Sequence, residues 1–479
     1  MTIETMVKRI QNIMRQDAGV DGDAQRISQL VWMLFLKVYD AKEEFWEFYD
    51  EDFDSIIPKE FRWREWAIDE KDGEALTGDE LLEFVNIKLF PTLKELKVDE
   101  FTEKRKAIVK YVFEDANNYM KNGTLLRQVI NVLNEVDFTE NEERHSFNDI
   151  YETILKDLQS AGSAGEFYTP RAITDFFADI LNPQIHEKIA DYACGTGGFL
   201  ISALNAMKEQ IKTPEDKEMV QQNVIGIEKK PLPYLLAITN LILHDIDAPN
   251  ILHDNSLAKN VRDFKEEDKA DVIIMNPPYG GTEESSIQNN VPVDLQSSET
   301  ADLFMTLIMY RLKRNGRAAV VLPNTFLFGD DRGKINIKKK LLDECNLHTI
   351  IRLPEGVFSP YTPIATNLLF FDKTDSTQEV WFFEHPLPEG YKRYSKTRPL
   401  KASEFEVVKD WWNNREENEH AWKVSLKEII AENYDLDFSN PRTKQEKYGD
   451  KSALELIGEL IHSQKEVTEL LERLQKELD

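Results

Sequence analysis

The sequence predicts an α/β fold, in which a parallel sheet with crossover helices is preceded by an all-helical domain and followed by a helical tail. Short apolar strands alternate with helical stretches between about residues 185 and 375, which is the pattern of such a sheet. Residues 1 to about 150 carry apolar side chains at the 3.6-residue spacing of helices. From about residue 450 onward, apolar side chains recur in alternating steps of three and four, which is a heptad seam.

These patterns divide the chain into three predicted domains. A helical N-terminal domain spans residues 1–150, an α/β domain spans 151–385, and a C-terminal region spans 386–479 and ends in the heptad helix of about 450–479. A chain of 479 residues is longer than one ordinary core, so several domains are expected. The seam consists of Ile457, Leu460, Gln464, Val467, Leu471, Leu474 and Leu478. Because one helix cannot bury such a seam alone, it must pack on its own chain or on a partner.

Six segments are predicted to be strands because each is a short run rich in aliphatic and β-branched residues. They are KIADYA (188–193), NVIGIE (223–228), ADVIIM (270–275), RAAVVLP (317–323), HTIIRL (348–353) and TNLLFFD (366–372). The N-terminal helices are predicted from AQRISQLVWMLFLKVYDAKEEFWEF (24–48) and TLLRQVINVLNEV (124–136), whose apolar residues follow the helical period.

Composition limits the possible functions. The formal net charge of −28 repels polyanions, so a protein that handles nucleic acid by itself is not expected. One exception is the segment 311–340, which contains nine Lys or Arg and only two acidic residues, Asp330 and Asp331. It is either a solvated face or a DNA contact. Two cysteines, Cys194 and Cys345, exclude a disulfide framework and a zinc cluster, so no metal is expected. No membrane-spanning run and no signal peptide are found, so a cytoplasmic protein without membrane contact is expected.

A glycine-rich turn follows the first predicted strand, in IADYACGTGGFLISAL (189–204). The strand ends at Asp191 and a helix begins near Phe199, so the turn brings backbone amides close to a ligand at the carboxyl edge of the sheet. A dinucleotide fingerprint would need glycine where Leu200 stands, and a P-loop would need Gly-Lys-Ser/Thr, which is absent. Both phosphate-binding interpretations are therefore weakened.

Two further carboxylates are candidates for binding a ligand. Glu228 closes NVIGIE, where a carboxylate can accept both hydroxyls of a ribose, and Asp254 in ILHDNSL can accept from the exocyclic amine of adenine. Each alone is more often a helix cap or a solvated side chain. Cys194 is interpreted as a small residue at a strand end rather than a nucleophile.

The strand ADVIIM ends in Asn276-Pro277-Pro278-Tyr279. Two successive prolines remove two backbone donors and stop the strand. Asn276 and Tyr279 are therefore expected at its carboxyl end. The alternative is a rigid turn with a packed tyrosine.

In this order, DYACGTGGF, GIE and NPPY resemble the motifs of the S-adenosylmethionine-dependent amino-methyltransferases that modify DNA. The upstream GEFYTP resembles the cofactor segment of the gamma arrangement of that family. With a helical domain before it and a helical tail after it, the chain is similar to the modification (M, HsdM) subunits of type I restriction-modification systems, which are gamma-arranged N6-adenine DNA methyltransferases. The motifs cover residues 160–375; the resemblance of the two ends rests on architecture.

The resemblance implies a Rossmann-like, mostly parallel seven-stranded sheet that binds S-adenosyl-L-methionine. It implies that the cofactor is held by Gly165, Glu166, Phe167, Tyr168, Thr169, Pro170, Asp191, Gly195, Thr196, Gly197, Gly198, Glu228 and Asp254. Asp191 would accept from the ammonium group of the cofactor, Glu228 would accept from its ribose hydroxyls, and Asp254 would accept from its adenine ring. The catalytic residues would be Asn276, Pro277, Pro278 and Tyr279, with acceptors from Asn276 and Pro277 on the target amine and Tyr279 stacked on a flipped-out adenine.

The implied partners are DNA, a specificity (S) subunit in an M2S1 complex, and a restriction (R) subunit in the full complex. The loop GGTEESSIQNNVPVDLQSSETADLF (280–304) is expected to be mobile and to cover the substrate. Asp302 and Phe304 are candidates for the pocket wall, and Asn324 and Phe326 for base contacts. Three alternatives remain open: a protein-glutamine N5-methyltransferase, a cytosine N4-methyltransferase, and a non-catalytic assembly subunit.

Overall fold

The structure is a computed structural model that describes residues 3–69, 75–135, 168–362, 364–442 and Gln464. Three predicted cofactor residues, Gly165, Glu166 and Phe167, lie outside the described residues. The heptad seam of about 450–479 also lies outside them, apart from Gln464.

The first part of the chain is helical, as predicted, and is built around one long helix. Its described α-helices are α1 (Ile3–Met14), α2 (Asp23–Tyr49), α3 (Trp63–Trp66), α4 (Gly78–Glu83), α5 (Phe90–Lys94), α6 (Lys104–Glu114) and α7 (Gly123–Asn134). The centre of α2 is buried on every side, because Trp32 packs edge-on against Phe90 at 5.0 Å and against Phe113 at 6.5 Å. The dense apolar run in the sequence reflects this central position.

The described part of the second domain is organised by one nine-stranded sheet with the order β3-β2-β1-β4-β5-β7-β6-β8-β9. Its strands are β1 (Ile189–Asp191), β2 (Val224–Glu228), β3 (Asn250–His253), β4 (Ala270–Met275), β5 (Leu312–Pro323), β6 (Asn346–Arg352), β7 (Thr366–Asp372), β8 (Glu379–Glu384) and β9 (Ala421–Ser425). Neighbours from β3 to β5 are parallel, whereas β7 is antiparallel to β5 and β6, and β9 is antiparallel to β8. The α/β class is confirmed, with a mixed sheet.

The sheet has two strands more than the seven that were expected, and three of its strands were not recognised in the sequence. β3 is an edge strand whose Leu252 is exposed, so its apolar pattern is weak. β8 and β9 are also absent from the six predicted strands; β9 lies past residue 385 and pairs antiparallel with β8, which ends just before it. The sheet therefore continues into the C-terminal region, while the two boundaries between the three predicted domains stay predictions.

Helices cover both faces of the sheet and bury it from both sides. They are α8 (Arg171–Leu181), α9 (Gly198–Met207), α10 (Pro214–Asn223), α11 (Pro231–Leu243), α12 (Ser285–Gln288), α13 (Thr300–Arg311), α14 (Asn324–Phe328), α15 (Arg332–Glu344), α16 (Glu406–Asn413) and α17 (Leu426–Ala431). In β4, Ile274 faces one hydrophobic core, and Ile273 and Met275 face the other. Burial on both faces explains why the strands are continuous apolar runs.

No helix in the described ranges combines the length and the apolar character that crossing a bilayer requires.

The helical domain contacts the β2–β3 side of the sheet through α2 and α11. Lys42 Nζ on α2 lies 2.9 Å from Asp245 and 3.3 Å from Asp247, which follow α11. His253 Nδ1, at the end of β3, lies 3.2 Å from Asp115. These contacts join the first domain to the edge of the sheet formed by β2 and β3.

The basic segment 311–340 is largely paired within the chain. Arg317 makes two bonds to the carboxylate of Glu187 at 2.7 and 2.9 Å. Lys313 bonds to Asp271 at 2.7 Å, and the buried Lys338 donates to two backbone carbonyl oxygens at 2.8 Å. The segment is therefore neither a free basic surface nor a fully solvated face, and it gives little support to a direct DNA contact.

The buried carboxyl group of Glu43 on α2 provides a test of the helical core. The Ser55 hydroxyl donates to its Oε1 at 2.5 Å, and burial raises the pKa of Glu43 from 4.5 to about 7. Between these values the folded protein holds a proton that the unfolded chain has released, so this group makes stability fall as pH rises. We expect Glu43→Gln to make the slope of unfolding free energy against pH, measured in urea between pH 5 and 7, less negative by up to about 1.4 kcal/mol per pH unit.

The matched control is Glu44→Gln, which changes the exposed neighbouring carboxylate and should leave that slope unchanged. Identical slopes in Glu43→Gln and the wild-type protein would show that Glu43 does not hold the extra proton.

Candidate functional site

The glycine turn joins β1 to α9 at the carboxyl edge of the sheet. Gly195 and Gly197 have φ values of +53° and +78°, which only glycine adopts easily. A Cβ atom on Gly197 would also lie 3.3 Å from the side chain of Leu241. The carbonyl oxygen of the buried Thr196 accepts from Asn240 Nδ2 at 2.9 Å, which fixes the turn against α11.

Asp191 ends β1 with a buried carboxylate. Its Oδ1 accepts from the backbone N–H of Ala193 at 3.1 Å, and its Oδ2 is buried without a hydrogen-bond partner. Burial, together with the charge of Glu228, raises the pKa of Asp191 well above its ordinary value. Such a carboxylate is suited to a cationic donor, because a donor would restore the hydrogen bond that burial removed.

Glu228 ends β2, and backbone amides hold its side chain. Its Oε2 accepts from the N–H of Gly195 at 2.9 Å, and its Oε1 accepts from the N–H of Lys230 at 2.7 Å. Both of these donors belong to the backbone, so the carboxylate of Glu228 is held in place at the end of the strand. Asp254 follows β3, where its backbone N–H donates to the carbonyl oxygen of Glu228 at 3.0 Å and its side chain is exposed.

Asn276 follows β4 directly, and its two amide atoms have different surroundings. Nδ2 donates to the hydroxyl oxygen of Thr169 at 3.1 Å, whereas Oδ1 is buried without a hydrogen-bond partner. Tyr279 is half-buried; burial and the neighbouring Tyr361 raise its pKa above the ordinary value.

One cavity of about 260 Å³ joins the ends of β1, β2, β3 and β4 and the glycine turn. The predicted residues that line it are Thr169, Asp191, Gly195, Thr196, Gly198, Glu228, Asp254, Asn276 and Pro278. Other predicted residues adjoin this wall without lining it, namely Tyr168, Pro170, Gly197, Pro277 and Tyr279. Within the described ranges, no group of three or more His, Cys, Asp or Glu side chains is arranged to hold a metal ion.

Several lining residues were not predicted from the sequence. Lys229, Lys230, Asn255, Ser256, Thr282, Glu283 and Thr300 line the cavity. The first four directly follow Glu228 or Asp254, so their position in the chain was a usable signal. Ser256 is fixed because its hydroxyl donates to the carbonyl oxygen of Tyr192 at 2.6 Å.

The loop 280–304 is anchored along its length. The N–H of Thr300 donates to the carbonyl oxygen of Gly281, and the N–H of Glu283 donates to that of Ser298, both at 3.1 Å. Val291 and Leu295 are buried in the core. These contacts argue against the wide mobility that was expected of the loop.

Asp302 and Phe304 have different roles at the start of α13. Phe304 lines the cavity, whereas Asp302 is fully buried beside Lys334 Nζ at 3.5 Å and accepts from the Ser297 hydroxyl at 2.6 Å. Burial raises the pKa of Asp302 to about 6. Asp302 therefore supports the loop and does not form the pocket wall.

Of the two candidate base contacts after β5, Phe326 is fully buried in the core and is not available to a substrate. Asn324 accepts from Asn367 Nδ2 at 2.6 Å and lines a second cavity at the same edge of the sheet, together with Arg352 and Glu384.

Comparison with known proteins gives two family matches. The N-6 DNA Methylase family matches residues 142–450, and the HsdM N-terminal domain family matches residues 3–133. The chain is 53% identical over 483 residues to the type I restriction enzyme EcoEI methylase subunit of Escherichia coli, which covers 99% of this chain and 97% of that protein.

Two solved structures share the fold over nearly the whole chain. One is the modification subunit of a candidate type I restriction enzyme from Vibrio vulnificus YJ016, with 42% identity, a TM-score of 0.82, and coverage of 93% of this chain and 98% of that chain. The other comes from a structural study of complex assembly and conformational transition in the type I restriction-modification system. It has 34% identity and a TM-score of 0.82, and it covers 99% of this chain and 98% of that chain. The methyltransferase fold is thereby confirmed.

The glycine turn can be tested by a matched pair of substitutions. Gly197 and Gly390 both have φ of +78°, but a Cβ atom on Gly390 would meet nothing within 4 Å. We expect Gly390→Ala to lower the free energy of unfolding by about 1 kcal/mol through backbone strain alone. Gly197→Ala should lower the free energy of unfolding by about 1 kcal/mol more than Gly390→Ala does, because its methyl group presses on Leu241. Equal losses in urea denaturation would show that the turn is not tightly packed.

Proposed function

We infer the roles of individual residues from one premise, that this chain belongs to the N-6 DNA methylases and is a modification subunit of the type I restriction-modification kind. It is accordingly a site-specific DNA methyltransferase that acts on N6 of adenine. One observation carries the residue-level proposal. The buried, unpartnered Oδ1 of Asn276 lies in the wall of the same cavity as the unpartnered Oδ2 of Asp191 and the carboxylate of Glu228.

We propose that this cavity binds S-adenosyl-L-methionine. The residues fit that group, because the unpartnered Asp191 Oδ2 can accept from its ammonium, and the carboxylate of Glu228, which backbone amides hold in the cavity wall, is an acceptor suited to its ribose hydroxyls. The exposed Asp254 at the rim can accept from the adenine ring. The bound cofactor supplies an electrophilic methyl group.

The glycine turn and the segment before α8 would complete the cofactor site. Gly195, Thr196, Gly197 and Gly198 bring the backbone close to the ligand. Within 165–170, the described Tyr168, Thr169 and Pro170 would form the opposite side, together with Gly165, Glu166 and Phe167.

Asn276 and Pro277 would act on the target adenine. The lone pair of an exocyclic amine is delocalised into the ring, which makes the nitrogen a poor nucleophile. Asn276 Oδ1 and the Pro277 carbonyl oxygen would each accept a hydrogen bond from the amine. These two bonds would localise the lone pair on the nitrogen and stabilise the positive charge that develops there. The amine proton is then released to solvent, and no separate strong base is needed.

The rest of Asn-Pro-Pro-Tyr would hold the base. An adenine within a duplex must be flipped out to reach this cavity. Pro278 lines the cavity, and Tyr279 follows it in the chain and has Tyr361 as a neighbour. The ring of Tyr279 would stack on the flipped base.

Family membership removes two of the earlier alternatives, glutamine N5 and cytosine N4 methylation. A non-catalytic assembly subunit is disfavoured because Asp191, Glu228 and Asn276 all contribute to the same cavity.

The charge distribution supports a partner that holds the DNA. The net charge is −28, and the basic segment 311–340 is mostly paired within the chain. We propose that a specificity subunit contacts most of the DNA in an M2S1 complex, which a restriction subunit joins in the full assembly. The seam of about 450–479 would pack on helices of the specificity subunit.

The proposed roles are tested with labelled S-adenosyl-L-methionine, duplex DNA and the specificity subunit. We expect Asn276→Ala to lower methyl transfer roughly 10²- to 10³-fold while cofactor affinity is kept. Glu228→Ala should weaken cofactor binding roughly tenfold or more, because a charged acceptor is lost. Product analysis should place the methyl group on adenine N6.

Unchanged cofactor affinity in Glu228→Ala would contradict the ribose assignment. Methylation of a glutamine peptide in place of DNA would contradict the choice of substrate.

The partner surface is tested by removing residues 450–479. Because the seam must be buried against another helix, deletion should abolish co-purification with the specificity subunit. Val467→Asp combined with Leu471→Asp should have the same effect, whereas Glu466→Gln, outside the seam, should keep the complex intact. A stable complex with the truncated chain would place the interface elsewhere.

A further inference from the structure

Thr169 and Asn276 form a hydrogen bond in the wall of the cavity, although they are 107 positions apart in the sequence. The amide nitrogen Nδ2 is the donor end of Asn276, so the hydroxyl oxygen of Thr169 is the acceptor at 3.1 Å. The other end of the amide, Oδ1, is buried and has no partner. The bond therefore satisfies the donor and leaves the acceptor for a ligand.

The orientation of this amide matters for the proposed chemistry. Rotating the amide by 180° changes its shape little but exchanges the acceptor Oδ1 for the donor Nδ2. A donor that faces the adenine amine cannot accept a hydrogen bond from it and cannot localise the lone pair on its nitrogen. The rotated orientation of the Asn276 amide would therefore be inactive. If residue 169 had no acceptor, the active orientation would leave Nδ2 buried and unpaired, which is unfavourable.

The backbone around both residues restricts their movement. Thr169 and Asn276 each precede a proline, which confines the preceding residue to extended conformations. The β-branched side chain of Thr169 has few rotamers. Next to it, Arg171 Nη1 donates to the carbonyl oxygen of Gly198 at 2.9 Å, which ties the start of α8 to the glycine turn. The hydroxyl oxygen of Thr169 is thus held within reach of Asn276 Nδ2, from which it accepts.

We propose that Thr169 is a positioning residue for methyl transfer, whose hydroxyl holds the Asn276 amide with Oδ1 toward the adenine amine. This inference rests on the proposed catalytic role of Asn276. It gives the hydroxyl of Thr169 a role in the chemical step, whereas the GEFYTP motif suggested a role in holding the cofactor.

The test uses the full chain with its specificity subunit, duplex DNA and S-adenosyl-L-methionine. Thr169→Val keeps the shape and removes the acceptor, so we expect kcat to fall about tenfold or more, with cofactor Kd and the KM for DNA within about twofold. Thr169→Ser restores the hydroxyl and should keep kcat within about threefold of wild type.

The control is Thr239→Val, which removes a buried hydroxyl that bonds only the carbonyl oxygen of Leu235 in its own helix at 2.8 Å, and it should not change kcat. If Thr169→Val does not fold, as judged by its thermal midpoint, Thr169→Ala is compared with Thr169→Ser in the same way.

A second measurement separates positioning from direct contact. In Asn276→Asp, the carboxylate presents an acceptor in either orientation, so adding Thr169→Val should cause no further loss of its residual kcat. A full additional loss would overturn the proposal. Weaker cofactor binding with unchanged kcat in Thr169→Val would also overturn it, because the hydroxyl of Thr169 would then act on the cofactor and not on the Asn276 amide.

The same variants distinguish this inference from the function on which it rests. If Asn276→Ala is inactive and Thr169→Val is fully active, only the positioning role fails. If Asn276→Ala methylates DNA at the wild-type rate, the catalytic role of Asn276 itself fails.

Discussion

The hydrogen bond from the backbone N–H of Gly195 to Glu228 Oε2 is the interaction on which the site depends. It fixes the glycine turn after β1 to the end of β2, and the N–H of Asp254 continues the connection by bonding to the carbonyl oxygen of Glu228. Since parallel strands end at a common edge, three successive strands bring their polar residues to one cavity without long loops. A carboxylate bound by two backbone amides is also ordered before any ligand arrives.

The sequence was sufficient to predict the parts of the fold that are determined locally. The strands β1, β2 and β4 are short apolar runs that end in distinctive polar residues, so the strands and the candidate residues after them could be located in the sequence. β3 and β9 were missed for physical reasons: β3 is a half-exposed edge strand, and β9 is stabilised by pairing with β8, a distant segment.

Contacts between distant residues could not be predicted from the sequence. The nine basic residues of 311–340 suggested a charged surface, yet Arg317 finds its partner in Glu187, which is 130 positions away. The bond between Thr169 and Asn276 likewise joins two motifs whose spacing carries no information about their contact. Motifs indicate which groups a site contains, and only the packing of helices on the sheet decides how those groups are oriented.

The unpartnered oxygens of Asp191 and Asn276 make the free protein less stable than its fold allows. Apolar replacements of similar shape would relieve that cost, so stability does not account for the presence of either residue. A ligand that supplies the missing donor shifts the folding equilibrium toward the native state by mass action. If the cavity binds the methyl donor and the flipped adenine as proposed, the lifetime of this subunit in a cell would follow the supply of both.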